Sequence, residues 1–268
     1  MYDVSYHRAR TVPDALETRS QGDDPTYVAG GQTLIPTMKA RLAAPSELID
    51  VSKIEDLIGV CEEGSQVIVG ASTTHAAVNS SELLSRRIPS LSALAGQIGD
   101  PMVRHRGTMG GSVANNDPSA DYPAAVMALG ATVRTDRREI SADEFFVDLF
   151  ETALEEDELI TAIAYPVPKR ATYAKFPNPA SRYAMVGVMV AELEDGLVRV
   201  AVTGAGSSGV FRWTDAETAL SETMDASALK ELSVDADDML EDLHGSADYR
   251  AHLVAVMTRR ALQSLLAG

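Results

Sequence analysis

Two pairs of adjacent glycines constrain the fold of this 268-residue chain more than any other feature of its sequence. Gly30 and Gly31 follow the strand-like segment TYVA, and Gly110 and Gly111 stand about 80 residues later in the segment TMGGS. Ordered glycine costs conformational entropy, so a glycine pair indicates an unusual turn or a close approach that leaves no room for a side chain. The fold must therefore satisfy two such constraints at once.

Hydroxyl side chains accompany both glycine pairs and add hydrogen-bond donors. Thr33 follows the first pair, whereas Thr108 and Ser112 flank the second. Consecutive backbone N–H groups in such turns form an anion-binding concavity, called a nest, and two facing nests could hold a diphosphate from both sides. The residues alone leave open the alternative that both pairs only make tight turns.

A third glycine-rich segment, GAGSSG at residues 204–209, matches the pattern G-x-G-x-x-G of dinucleotide-binding folds. That pattern has this meaning only where a helix opens within it. Here the β-prone segment VFRW follows the last glycine. We therefore interpret residues 204–209 as a structural loop.

Charge and composition exclude several classes of function. The net charge of -16 disfavours nucleic acid as a partner, because phosphate binding needs a basic face. The acids are spread along the chain, which is consistent with a well-solvated surface or with adaptation to high salt. Cys61 is the only cysteine and cannot hold an iron–sulfur cluster by itself, and the five histidines lack metal-ligand spacing. We expect no metal in this chain.

The sequence predicts no transmembrane segment, because it contains no run of about 18 apolar residues. Its first residues, MYDVSYHRARTVPDAL, have no apolar stretch of the kind found in a signal peptide. A soluble, cytoplasmic protein is the expectation.

The pattern of elements predicts an α+β chain with a change of character near residues 166–170. Residues 1–60 alternate short strands and helices, with Thr11 as a helix cap. The segment around the second glycine pair is expected to be a loop, and Asp121 is expected to cap a helix that stops at Gly130. Beyond residue 170 we expect a hairpin around Glu194–Gly196 and helices near 214–222, 226–232 and 247–266.

The segments AGGQTLIPTMKARLAAPSELIDVSKI and RGTMGGSVANNDPSADYPAAVMALGATV together resemble the FAD-binding medium subunits of molybdenum hydroxylases. This family includes carbon-monoxide dehydrogenase medium chains and the FAD-binding subunits of bacterial xanthine dehydrogenases. The segments VPDAL, ELITAIAYPVP and ADYRAHLVAVMTRRAL extend the resemblance over essentially the whole chain. It implies an FAD-binding domain at 1–168, made of two small α+β subdomains that divide near 55–65. A C-terminal domain at 169–268, with an antiparallel sheet and helices, would follow.

The resemblance also implies which residues hold FAD. Asp121 would lie near the adenosine ribose, and Ile98 and Ile160 would supply apolar walls. The two glycine motifs would wrap the diphosphate, and their residues are Ala29, Gly30, Gly31, Gln32, Thr33 and Leu34, and Thr108, Met109, Gly110, Gly111 and Ser112.

Two residues of the C-terminal half are implied to act at the flavin ring. Lys175 would lie near the carbonyl edge of the isoalloxazine, where its charge would stabilise reduced flavin, and Tyr183 occupies the place of a family aromatic close to the ring. The loop between them departs from the family pattern, with Phe176–Pro179 and then Arg182. This departure leaves the electron acceptor open, although it does not affect FAD binding.

The function that the resemblance implies is electron transfer within a complex. A molybdopterin subunit would oxidise the substrate, a [2Fe-2S] subunit would relay electrons, and this chain would pass them from FAD to NAD, oxygen or a quinone. The complex would be a dimer of heterotrimers. Two alternatives are a stand-alone flavin oxidase, for which no histidine base is evident near the ring, and an assembly subunit that has lost its flavin.

Overall fold

The computed structural model describes residues 1–267 and confirms the expected α+β class, with helices and strands in mixed order. The strands are β1 (Ser5–Arg8), β2 (Pro25–Val28), β3 (Glu47–Asp50), β4 (Val60–Glu63), β5 (Gln66–Gly70), β6 (Thr132–Thr135), β7 (Glu139–Ser141), β8 (Phe146–Asp148), β9 (Glu151–Thr152), β10 (Ile160–Pro166), β11 (Arg170–Pro177), β12 (Ala184–Glu192), β13 (Val198–Gly206) and β14 (Gly209–Arg212). The helices are α1 (Val12–Gln21), α2 (Leu34–Lys39), α3 (His75–Ser80), α4 (Glu82–Arg87), α5 (Pro89–Gly96), α6 (Pro101–Arg104), α7 (Met109–Asn115), α8 (Tyr122–Ala128), α9 (Ala142–Phe145), α10 (Thr214–Glu222) and α11 (Ala247–Ala267). Short 3₁₀ turns lie at Glu55–Leu57, Ala226–Leu229 and Ala236–Asp238.

The first layer is a parallel three-stranded sheet in the order β1-β3-β2. Its strands alternate with helices α1 and α2 as the sequence predicts. The Oγ1 atom of Thr11 accepts a hydrogen bond from the backbone N–H of Asp14, so Thr11 is the expected cap of α1. The first glycine motif connects β2 to α2 at the end of this sheet.

The second layer is an antiparallel sheet in the order β4-β5-β10-β6-β7. Helices α5, α7 and α8 share its buried core, to which Met189, Ala191 and Ala201 of the next sheet also belong. The second glycine motif is the first turn of α7, so the expectation of a loop there was wrong. Helix α7 packs its N-terminal turn against the end of β5.

The third layer is an antiparallel sheet in the order β11-β12-β13-β14. Its strand β12 is buried along its whole length because α8 packs on one face and α11 on the other. The expected hairpin joins β12 to β13, and Gly196 has a φ of 85° at its tip. Residues 204–209 form the tight β13–β14 hairpin with Gly206 opposite Gly209, which confirms their structural role.

Two further expectations about elements need correction. The helical segment expected at 226–232 is only a 3₁₀ turn at Ala226–Leu229. Asp121 precedes α8 but its side chain makes no capping hydrogen bond, because its carboxylate is engaged elsewhere. The proposed division into 1–168 and 169–268 falls between β10 and β11 and stays a prediction, as does the subdomain division near 55–65. Within residues 1–267, no helix has the length and apolar character needed to cross a membrane.

Candidate functional site

A cleft of about 500 Å³ opens where the β2–α2 loop faces the start of α7. Segments that precede α8 and β10 contribute further wall, and the β11–β12 loop closes one side. The residues of the sequence prediction that line this cleft are Ala29, Gly30, Gly31, Gln32, Thr33, Leu34, Ile98, Thr108, Gly110, Gly111, Ser112, Asp121, Ile160 and Tyr183.

The first glycine motif supplies unused backbone donors to the cleft. Gly31 has a φ of 68°, in the left-handed region that glycine tolerates. Within the described chain, no backbone N–H from Gly30 to Thr33 donates to a protein acceptor. A row of free N–H groups around a left-handed residue is the arrangement that binds anions. These features fit the nest predicted for the first motif, and its binding of a diphosphate stays a prediction.

The second glycine motif is built differently and is not a nest. The N–H of Met109 donates to the Thr73 carbonyl at 3.0 Å, and that of Gly110 donates to the Ala71 carbonyl at 2.8 Å. The N–H of Gly111 donates to Oγ1 of Thr108 at 3.2 Å, which makes Thr108 the cap of α7. These backbone donors are already satisfied, so the prediction of a second nest is wrong.

The second motif contributes to the cleft two backbone positions without a side chain and one hydroxyl group. Gly110 and Gly111 both line the cleft, and a Cβ at Gly110 would lie 2.5 Å from the Cβ of Ala71. Ser112 adds a hydroxyl to the same wall. Met109 is instead fully buried, with its sulfur accepting from the Tyr165 hydroxyl, so the prediction that it wraps a diphosphate needs correction.

The two motifs come together through direct backbone contact. A Cβ at Gly30 would lie 2.3 Å from the Arg106 carbonyl oxygen and 2.6 Å from Cα of Gly107. Neither backbone atom can move aside as the end of a flexible side chain can. Gly30 is thus required so that the loop of the first layer can lie against the segment that leads into α7.

A buried ion pair holds the wall of the cleft formed by Asp121. The carboxylate accepts from the Tyr173 hydroxyl at 2.6 Å and from Nζ of Lys175 at 2.9 Å. Nζ also donates to the carbonyl of Gln97, and the Lys175 side chain is only 3% exposed. Burial raises the pKa of Asp121, and the Lys175 charge opposes that rise.

This pairing corrects the prediction for Lys175. Lys175 is not among the residues that line the cleft, because its ammonium group is directed at Asp121 behind the wall. A buried carboxylate needs a counter-charge, and Lys175 supplies it. Of the two residues of this ion pair, Asp121 is the one that lines the cleft.

The loop between β11 and β12 places Tyr183 in the wall of the cleft. Oδ1 of Asn178 accepts from the backbone N–H groups of Ala180 and Ser181, at 2.9 and 3.2 Å, and fixes the turn. Arg182 then adopts a φ of 63°, and both it and Tyr183 line the cleft. Tyr183 is 47% exposed, so its ring borders solvent.

His75 lines the cleft although sequence reasoning placed no histidine there. It is 4% exposed, with Nδ1 3.2 Å from the Tyr122 hydroxyl, and a Cβ at Gly107 would lie 2.5 Å from Nε2. Burial lowers the pKa of His75 to about 4. His75 is therefore neutral near pH 7 and packs beneath the segment that leads to the second motif. The sequence signal that could have identified His75 as a cleft residue was its position at the start of helix α3.

Glu158 also lies in the cleft wall, and the sequence analysis did not predict it there. Arg138 donates to both of its carboxylate oxygens, at 2.9 and 2.8 Å, and Thr135 donates at 2.7 Å. These bonds hold the pKa of Glu158 down, at about 2. The partners lie on a different part of the chain, so no local pattern predicted them. Among residues 1–267, no group of three His, Cys, Asp or Glu side chains could hold a metal ion.

Comparison with known proteins decides the family. Residues 2–168 match the family described as the FAD binding domain in molybdopterin dehydrogenase. The chain belongs to this family. It is 33% identical to the carbon monoxide dehydrogenase medium chain of Afipia carboxidovorans over 96% of this chain and 95% of the relative. It is 34% identical to the nicotine 6-hydroxylase medium subunit of Paenarthrobacter nicotinovorans over 97% of this chain and 96% of the relative.

A solved structure of Cu,Mo-CO dehydrogenase, in its cyanide-inactivated form, contains a chain with the same fold. It superposes with a TM-score of 0.91 at 33% identity and covers 98% of each chain. The resemblance stated from the sequence is therefore confirmed, and the chain is an FAD-binding oxidoreductase subunit of the molybdenum hydroxylase family.

The cleft fits FAD, the cofactor of this family, on observations of its own residues. The free N–H groups from Gly30 to Thr33 suit an anionic diphosphate. The bare Gly111 leaves room beside them, and Ile98 and Ile160 supply apolar wall. The same cleft would hold both the polar and the aromatic parts of such a cofactor.

We predict that Gly30→Ala and Gly111→Ala affect flavin binding in different ways. Alanine at Gly30 must push apart two backbone segments, so both folding stability and FAD affinity should fall, the latter more than tenfold. Alanine at Gly111 meets only Oγ1 of Thr108, at 2.9 Å, so FAD affinity should fall while the chain stays folded. Released flavin and thermal unfolding of each variant measure these effects. Gly64→Ala, at a left-handed turn outside the cleft, is the control. Full flavin occupancy in Gly30→Ala would contradict the assignment.

Removal of the Lys175 charge should destabilise the chain through Asp121. Lys175→Met leaves a buried carboxylate with one hydroxyl donor, and we expect a loss of about 3–5 kcal/mol in the free energy of unfolding. Adding Asp121→Asn should recover part of that loss, because no charge is then left unpaired. Urea unfolding of the wild type, both single variants and the double variant measures the coupling. Strictly additive losses would show that the pair does not act as a unit.

His75 should make the stability of the chain pH-dependent. The unfolded side chain titrates near pH 6.5 and the folded one near 4, so the unfolded state binds the proton first as the pH falls. The contribution of neutral His75 to the free energy of unfolding is fully present above pH 6.5. It should be lost as the pH falls from 6.5 to 4, a decrease of about 3 kcal/mol. His75→Gln should flatten this part of the profile in urea unfolding, whereas His252→Gln, at an exposed site on α11, should not. Parallel profiles for the wild type and His75→Gln would refute the prediction.

Proposed function

We propose that this chain collects electrons from a [2Fe-2S] subunit and passes them through FAD to an external acceptor. In this proposal a molybdopterin subunit oxidises the substrate, and the complex is a dimer of heterotrimers. NAD, oxygen and a quinone are the candidate acceptors. The relatives support a role within an assembly, because their names describe medium chains or subunits of larger enzymes.

The observation that carries the proposal is the first glycine motif. Its N–H groups from Gly30 to Thr33 are free in a cleft where two of the three carboxylates, those of Asp121 and Glu158, are paired with cations. Such a cleft can hold an anionic cofactor within a chain of net charge -16. FAD would supply the capacity to exchange electrons one or two at a time.

The residues of the chain would bind and orient the cofactor. Ser112 would add a hydroxyl donor to the backbone donors of the first motif, and Asp121 would be fixed in orientation by Tyr173 and Lys175. Ile98 and Ile160 would exclude water from the apolar part of the cleft. Tyr183 would border the cofactor on the side that is open to solvent. These roles are positioning roles, and the chemistry of substrate oxidation lies outside the chain.

The stand-alone oxidase receives no specific support. His75 does line the cleft, but it is buried against Tyr122 and Gly107, and its pKa is depressed to about 4. A base with that pKa is weak at neutral pH. The flavin-free assembly subunit is also disfavoured, because the first motif keeps free donors and a left-handed glycine.

We predict that the isolated chain binds FAD but oxidises no purine, aldehyde or carbon monoxide. Purification from the native host should give this chain together with subunits that contain iron and molybdenum. Metal analysis, flavin analysis and activity assays of the isolated chain and of the complex test the proposal. Substrate hydroxylation by the chain free of iron and molybdenum would favour the stand-alone oxidase. A colourless chain that still assembles would favour the flavin-free subunit.

A further inference from the structure

The β8–β9 ribbon, residues 146–152, displays apolar side chains on a backbone that is held in an unfavourable conformation. Phe150 has a φ of 56°, in the left-handed region that bulky residues rarely adopt, and it is 60% exposed. Val147, on the same ribbon, is 55% exposed. Leu149 instead lies toward β14, where a Cβ at Gly209 would be 3.9 Å from its Cδ2. Phe146 is packed against the core, so the ribbon has two packed apolar residues, Phe146 and Leu149, and two that face solvent.

The strained conformation is fixed by the end of helix α7. Nδ2 of Asn116 donates to the carbonyls of Asp148 and Glu151, at 2.8 and 2.9 Å, and its own carbonyl accepts from the N–H of Phe150 at 3.1 Å. Asn116 is itself left-handed, with a φ of 42°. Three hydrogen bonds therefore hold the tip in place. A strained residue that the surrounding structure fixes, and whose side chain is mostly exposed, points to a use outside the chain.

The charges beside these side chains define the surface that would fit them. Asp148 and Glu151 are exposed and take part in no salt bridge within the described residues. Glu151 directly follows Phe150 in the chain, and Asp148 precedes it by two positions. A complementary surface would have an apolar pocket surrounded by lysine or arginine. A second copy of this chain is a poor match, because its net charge is -16.

The ribbon is also linked to the cofactor cleft. Asn115 and Asp117 line the cleft, and Asn116 between them holds the ribbon. A protein bound at the tip would therefore lie beside the end of helix α7, the helix whose first turn is the second glycine motif. This position suits a partner that exchanges electrons with the cofactor, since electron transfer needs close approach.

We propose that the ribbon tip, through Phe150 and Val147, docks into a basic-rimmed apolar pocket on the iron–sulfur subunit of the complex. This inference rests on the proposed function, because it requires that such a complex exists. Aromatic residues that insert into a partner's pocket commonly dominate the affinity of an interface. The flanking carboxylates would orient the approach and increase the association rate.

The decisive variant is Phe150→Gly, which removes the side chain and relieves the backbone at the same time. Glycine accepts a φ of 56° without steric cost, so the melting temperature and flavin content of the isolated chain should not fall. The Kd for the iron–sulfur subunit should rise at least tenfold. Leu197→Ala is the matched control, an exposed aliphatic residue beside Asp195 at another hairpin, and should leave the Kd unchanged.

A second variant tests the charges separately. Asp148→Asn with Glu151→Gln should raise the Kd and make it less sensitive to salt between 50 and 300 mM, since ion pairing with the rim is lost. Unchanged affinity of Phe150→Gly would overturn the inference, and so would a lower melting temperature, which would show that Phe150 packs within its own chain. A wild-type dimer that Phe150→Gly dissociates would identify a second copy as the occupant and overturn the choice of partner.

The design separates failure of the inference from failure of the proposed function. If the wild-type chain binds FAD and both partner subunits while Phe150→Gly binds them equally well, only the ribbon assignment fails. If the wild-type chain binds neither subunit, the complex itself is refuted, and the ribbon assignment falls with it. Association is measured by titration of FAD-loaded chain onto immobilised partner subunits, so the readout does not depend on enzyme activity.

Discussion

The buried carboxylate of Asp121 is the interaction on which the rest of the site depends. It lines the cleft at the start of α8 and accepts hydrogen bonds from Tyr173 and Lys175 of β11. Lys175 also donates to Gln97, so one ion pair connects three parts of the chain. Gly187 makes this possible, because a Cβ there would lie 2.2 Å from the Tyr173 hydroxyl. A charge that is buried from water is tolerated only while every one of its partners is in position. The C-terminal sheet therefore fixes the wall of a cleft built mostly by the N-terminal half.

The two glycine motifs look alike in sequence but solve different physical problems. In the first, Gly31 takes a left-handed turn that leaves backbone donors free, and Gly30 allows contact with the opposing backbone. In the second, Gly110 lets α7 begin against Ala71, and Gly111 leaves space in the cleft because it has no side chain. One motif provides hydrogen bonds and the other provides space. A diphosphate needs both.

The acidic composition of the chain is compatible with an anionic cofactor because two of the three acids that line the cleft are paired with cations. Lys175 pairs with Asp121, and Arg138 binds both oxygens of Glu158. Burial raises the pKa of Asp117, the third acid of the wall. The remaining charge of the chain lies mostly on its surface, where water and salt screen it. Local pairing, rather than net charge, thus decides what the cleft can bind.

The sequence by itself determined the family and many of the cleft residues through its resemblance to known members. It also determined the α+β class, because turn chemistry, helix caps and apolar spacing act over short distances. TYVAGG predicted a turn and STTHAA a capped helix, and both are present. The tertiary structure alone decided where side chains with distant partners point. Lys175 turns from the cleft to Asp121, 54 residues away, and His75 enters it beside Gly107. The backbone donors of Met109 and Gly110 are satisfied by the carbonyls of Thr73 and Ala71, which follow β5. The second motif is therefore the start of a helix and not the expected nest. Burial makes such pairings compulsory, and burial is a property of the assembled layers rather than of any segment.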